Sequence, residues 1–129
     1  MKLYFLLPII FFSSCGKENI TDHSIDPYRI TQTITYNNIN VDVVIDKPAL
    51  NEVDVLLVFH GTVLNDSNIM SAANTTLDQF KNILDRTNMM IVAVAYPQEN
   101  LLLGDSIIQC EAALLWLKNN ASQELGITV

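Results

Sequence analysis

Basic residues are scarce in this chain: 7 Lys and Arg stand against 14 Asp and Glu, for a formal net charge of −7. After Lys2 the remaining basic residues are scattered singly, with no stripe to neutralise a phosphate backbone, which excludes nucleic acid as a partner. Histidine is limited to His23 and His60, far apart in sequence, and the acids show no ligand spacing, so no metal site is expected. Glycine is equally sparse, at 4 residues. Gly61 stands alone where a dinucleotide-binding turn needs Gly-x-Gly-x-x-Gly, and Gly-x-Ser-x-Gly is absent from the chain. Cysteine occurs twice, as Cys15 and Cys110. Charged residues make up 16% of the chain and hydrophobic ones 50%, a balance that argues for a folded domain rather than disorder. At 129 residues, one domain is the most the chain holds.

The N-terminus carries the longest apolar run. Lys2 precedes Leu3 to Phe12, ten residues that are too short to cross a hydrocarbon core as a helix but suit the apolar region of a secretory signal. Phe12-Ser13-Ser14-Cys15 follows and resembles the bacterial lipoprotein cleavage box, with Phe12 where that box usually has Leu. The resemblance implies that residues 1–14 are a signal peptide, that Cys15 becomes the lipidated first residue, and that the mature protein sits in the cell envelope outside the cytoplasm. Residues 15–28 then read as the acylated Cys and a polar tether, with His23 a solvated linker residue. Acylation of Cys15 would leave Cys110 alone, with no disulfide possible. Cys110 falls among apolar helix residues, where a free Cys behaves as a small hydrophobe.

From residue 29 the pattern becomes that of an α/β domain. Ile30, Gln32, Ile34 and Tyr36 alternate with threonines, and Val41, Val43 and Ile45 alternate with Asp42, Val44 and Asp46. With Asn37-Asn38 between them, the two segments predict a half-exposed β-hairpin over 29–36 and 39–46. After Asp54, Val55-Leu56-Leu57-Val58-Phe59 is an unbroken apolar run of the kind buried on both faces of a parallel sheet, and it stops at His60-Gly61-Thr62. Gly61 would let the backbone turn there. Residues 63–74 read as a loop, and Thr75 as the N-cap of a helix reaching Arg86 with Leu77, Phe80, Ile83 and Leu84 on its apolar stripe. A second buried strand, Met89 to Ala95, ends at Tyr96-Pro97. Asp105 then caps a single long helix over 106–125, with Gly126 as its C′ residue.

A hairpin, a strand ending in His-Gly, a helix, a strand ending in Tyr-Pro and a long helix together resemble the N-terminal half of an α/β-hydrolase. The likeness is to the esterase, polyhydroxybutyrate depolymerase and prolyl-peptidase-like groups, over residues 29–129. The fold class it implies is a β-hairpin followed by βαβα with a parallel strand pair, an incomplete hydrolase sheet. It further implies hydrolysis of small-molecule esters or peptides with no cofactor. His60, Gly61 and Thr62 would form the oxyanion-hole loop, with Thr62 N–H as the donor. Nucleophile, acid and base are expected beyond Val129, so the chain alone should be inactive.

Two other readings use the residues present. One is a small non-catalytic envelope lipoprotein that binds a ligand or partner. The other builds a triad from His60, Ser67 or Ser71, and Asp66, all within a dozen positions on one loop. In the hydrolase order, 54–59 would be a terminal strand whose unpaired edge is a site for self-association. For the anchor, uptake of radiolabelled palmitate is expected in the unmodified protein and should vanish in Cys15→Ala; label that persists in the variant contradicts acylation at Cys15.

Overall fold

Asn37 and Asn38 both hold positive φ, 49° and 65°, and this pair of left-handed residues makes the tight turn from which the sheet is built. The computed structural model describes residues 27–61, 66–96 and 103–129. Residues 1–14, Cys15 and most of the expected tether lie outside them. Strand β1 (Tyr28–Tyr36) pairs antiparallel with β2 (Ile39–Lys47), within one residue of the expected bounds at either end. Residues placed directly opposite on the exposed face bond to each other: Arg29 to Asp46 at 2.9 Å, Thr33 to Asp42 at 2.6 Å, and Thr35 to Asn40 at 2.8 Å.

Two further strands, β3 (Asp54–Phe59) and β4 (Met89–Ala95), complete a sheet of order β1-β2-β4-β3. β2 meets β4 antiparallel, whereas β3 and β4 are parallel, as the expected βαβ crossover requires. β2 is not half exposed. It lies inside the sheet, so Val44 packs against one helical layer while Val43 and Ile45 pack against the other. Lys47, also buried, is satisfied by the carbonyls of Leu50 at 2.8 Å and Pro48 at 3.4 Å, which ties down the connection toward β3.

Helix α1 (Ile69–Ile83) covers one face. It starts six residues before the expected N-cap, behind a 3₁₀ turn at Asp66–Asn68. Thr75 is therefore internal, and its hydroxyl donates to the Ser71 carbonyl at 2.9 Å. Contact with the sheet runs through Ile69, Ala73 and Leu77, one row at i, i+4 and i+8. Of the expected stripe, Leu77 is fully buried and Leu84 packs beside it, whereas Phe80 and Ile83 turn toward solvent. Lys81 reaches Asp46 at 2.8 Å and Asp78 reaches Arg29 at 2.8 Å, joining α1 to the hairpin.

The other face carries α2 (Leu103–Asn119) and α3 (Ala121–Leu125), two helices where the pattern predicts one. α2 begins before Asp105, so that residue is inside the helix rather than its cap. At Asn120 the backbone leaves the helical region (φ −121°, ψ −30°); just beyond it Ala121 enters the core and Glu124 accepts from the indole of buried Trp116 at 3.2 Å. Gly126 ends α3 in the left-handed conformation, φ 61°, the expected C′ role.

β3 is the outermost strand, and here the sequence expectation of burial on both faces fails. Val55, Leu56 and Leu57 are half-buried and Phe59 is 44% exposed, because nothing among the described residues lies along its outer side apart from the very start. There Val53 N–H donates to Thr128 O at 3.0 Å and Thr128 N–H to Asn51 O at 2.7 Å, a parallel bridge between Glu52 and Thr128. Asp54 N–H turns the other way, to Asn88 O on the β4 side.

The contrast within α1 gives a direct test of this packing. Leu77→Ala should destabilise the protein by about 2–5 kcal/mol and Ile83→Ala by less than about 0.5 kcal/mol, read from urea denaturation midpoints. Similar losses for both would contradict the orientation of the helix.

Candidate functional site

β3 and β4 run in parallel, so their carboxyl ends emerge side by side, where open α/β sheets bind ligands. His60 follows the last residue of β3 and Tyr96 the last of β4. Both are buried, with His60 only 3% exposed. Their rings stack at a centroid distance of 4.2 Å and an interplanar angle of 11°. Each side chain also bonds the other's backbone: the Tyr96 hydroxyl donates to His60 O at 2.5 Å, and His60 Nε2 lies 3.1 Å from Tyr96 O. Pro97 follows Tyr96 in sequence and restricts it to extended backbone.

The second imidazole nitrogen, Nδ1, faces Gly61 O at 2.8 Å. Both ring nitrogens thus address carbonyl oxygens. A neutral imidazole has one N–H and serves one of them at a time; the doubly protonated ring serves both. In either case no ring lone pair is turned toward a hydroxyl. This removes His60 as the base of a local triad with Ser67 or Ser71, although Ser71 does line a shallow polar hollow with His60, Gly61, Asn68 and Thr75. The side chain of Asp66, the acid of that triad, lies outside the described residues. His60 is instead a strut that ties the end of β3 to the end of β4 and holds the carbonyl of the next residue.

Gly61 is exposed, and its φ lies outside the left-handed region. A Cβ built on it would meet nothing within 4 Å among the described residues. Among the described residues, then, no neighbour obliges this position to be glycine, while the turn that Gly61 is expected to permit continues into residues outside them. Thr62, the expected oxyanion donor, lies outside the described residues. Cys15, the expected lipidation site, does so as well.

On the other side of Tyr96 runs an apolar groove of about 640 Å³ between β3 and α2, lined among others by Leu57, Phe59, Ile107, Cys110 and Leu114. Burial pushes the Cys110 thiol up from its ordinary value, the opposite of what a nucleophilic thiolate needs. Among the described residues no three His, Cys, Asp or Glu side chains gather in a way that could hold a metal ion, and no helix is long and apolar enough to cross a membrane. Tyr96 enters the sequence reading only as a marker of the strand end. The available signal was a hydroxyl-bearing aromatic fixed by a following proline at the end of the strand adjacent to His60.

No protein-family model and no curated protein matches the chain. Among solved structures, a fungal esterase from Rhizomucor miehei superposes with a TM-score of 0.57 at 16% identity, covering 80% of this chain and 32% of the esterase. An arylesterase superposes with a TM-score of 0.49 at 19% identity, covering 78% of this chain and 32% of its own. The first likeness establishes a hydrolase-like α/β fold, and the chain spans about a third of the length of these structures.

The two loop residues should respond to substitution in opposite ways. Gly61→Ala is expected to leave stability unchanged or raise it by about 0.5 kcal/mol, since the methyl meets open space and restricts the unfolded chain. His60→Ala should cost roughly 1–3 kcal/mol, because a buried ring stacked on Tyr96 is removed and a carbonyl loses its donor. Denaturant titration of both variants checks this, and a Gly61→Ala loss above about 1 kcal/mol would contradict the open geometry.

Proposed function

We propose that this chain is the N-terminal part of a lipid-anchored serine hydrolase that cleaves ester or amide bonds outside the cytoplasm. In this reading the His60-Gly61-Thr62 segment is the oxyanion loop, Cys15 is the acylated anchor, and sequence beyond Val129 supplies the nucleophile elbow, the acid and the base. Small-molecule esters or peptides are the substrates of the completed protein, and no cofactor takes part.

The observation that carries the reading is the bridge between Glu52 and Thr128. Backbone N–H groups alternate in direction along a strand. Val53 N–H points to Thr128 and Asp54 N–H to β4, so Val55, Leu57 and Phe59 turn their N–H and C=O groups to the outer edge. Residues 127–129 thus lie at the start of that edge and run parallel to it. A chain continuing from Val129 along the same line would pair with β3, cover Leu57 and Phe59, and arrive beside the His60–Gly61 loop. That is where a strand leading into Gly-x-Ser-x-Gly has to deliver its serine. A serine there, facing an N–H of the loop, is the arrangement that stabilises charge growing on an attacked carbonyl oxygen, worth roughly 3–4 kcal/mol per donor.

The test compares two proteins made from the same gene. The 129-residue chain should not hydrolyse p-nitrophenyl acetate above a His60→Ala control. A form extended through the downstream reading frame should contain Gly-x-Ser-x-Gly within about twenty codons, hydrolyse the ester, and lose activity when that Ser is changed to Ala. Downstream sequence with no such elbow in any frame, or turnover by the short chain itself, overturns the proposal.

A further inference from the structure

His60 and Gly61 contribute two consecutive carbonyls, each with a side-chain group within hydrogen-bond distance. Gly61 O faces the imidazole Nδ1 of His60 at 2.8 Å. His60 O is held from the neighbouring strand by the Tyr96 hydroxyl, at 2.5 Å and buried. The second bond has a consequence for a different atom. A trans peptide is planar, with its C=O and N–H on opposite sides. No peptide bond among the described residues is cis. Fixing the His60 carbonyl toward Tyr96 therefore fixes the Gly61 N–H in the opposite direction, away from the stacked rings.

We propose that Tyr96 is a positioning residue of the loop: by holding the His60 carbonyl it aims the Gly61 N–H, which serves as a donor to the oxygen of an acyl carbonyl. The proposal rests on the hydrolase reading for what the donor meets, but not for how the donor is aimed. Three observations support it independently of that reading. The hydroxyl–carbonyl bond is buried, so water does not compete for it. The parallel stack with His60 and the tilted contact with Phe59, 6.4 Å between centroids, fix the tyrosine ring itself. The side of Gly61 where a side chain would stand is open among the described residues, which leaves room for a ligand to approach the backbone.

Tyr96→Phe removes one oxygen and keeps the stack, so it separates the aim of the loop from the packing of the core. The measurement is the direction and order of the Gly61 N–H vector in the whole 129-residue chain, from residual dipolar couplings and ¹⁵N relaxation. In the unmodified protein the Gly61 order parameter should match rigid backbone, about 0.85, and in Tyr96→Phe it should fall below about 0.6, while couplings along β2 and β4 stay as they were. Leu77→Ala serves as control: it should lower global stability without moving the Gly61 vector. A Gly61 vector that is unchanged in Tyr96→Phe, or that moves equally in Leu77→Ala, overturns the proposal. Should Tyr96→Phe fail to fold, the unmodified protein decides: its Tyr96 hydroxyl proton must exchange slowly with water, and a fast-exchanging hydroxyl overturns the assignment. None of these readouts depends on ester turnover, so the positioning role can fail while the hydrolase reading stands, and the reverse.

Discussion

Strand β4 has neighbours on all sides, and the fold hangs on that enclosure. Met90 through Ala95 are buried without a break, in a strand that pairs antiparallel with β2 on one edge and parallel with β3 on the other. Its residues alternate between two helical layers: Ile91, Ala93 and Ala95 meet α1, and Met90, Val92 and Val94 meet the cluster around Trp116. A strand with no polar side chain tolerates such enclosure because every main-chain group it hides is paired within the sheet. The same enclosure sets the direction of β3 and brings His60 next to Tyr96.

The hairpin and β4 were legible in the sequence because the relevant forces are local. Alternation picks out the faces of β1, and two asparagines supply the turn, so the bounds come out within a residue. The helices were read less well, for physical reasons that can be named. In α1 the sheet is met by Ala73, a residue too small to register in a hydrophobic stripe, and the larger Phe80 and Ile83 lie off the contact row. In the 103–125 region helical periodicity runs on past Asn120, and the break there answers to tertiary packing around Trp116. The run Asp54–Phe59 looked like a central strand, and its composition does suit one; its edge position depends on which other strands are present.

The site was half legible. A His-Gly pair after an apolar strand marks a strand end where chemistry is expected, and the pair does stand at the carboxyl edge of the parallel strands. The clasp itself leaves no trace in local sequence. It joins residues 36 positions apart through bonds from side chain to backbone, and such bonds depend on register rather than residue pattern. Within the motif the His60 ring faces the carbonyls of Gly61 and Tyr96, the Tyr96 hydroxyl holds the His60 carbonyl, and a Cβ on Gly61 would meet nothing among the described residues.

The bridge between Glu52 and Thr128 has a bearing on the order in which the protein is made. The hairpin closes over a two-residue turn and can form as soon as residue 47 is clear of the ribosome. The outer side of residues 51–53, by contrast, is paired by a segment synthesised some seventy-five positions later. A contact that distant in sequence carries a large loop-closure entropy and forms late. That late bridge covers only the start of β3, so among the described residues Val55, Leu57 and Phe59 keep an open edge both before and after it forms, a row of main-chain groups free to pair with another strand.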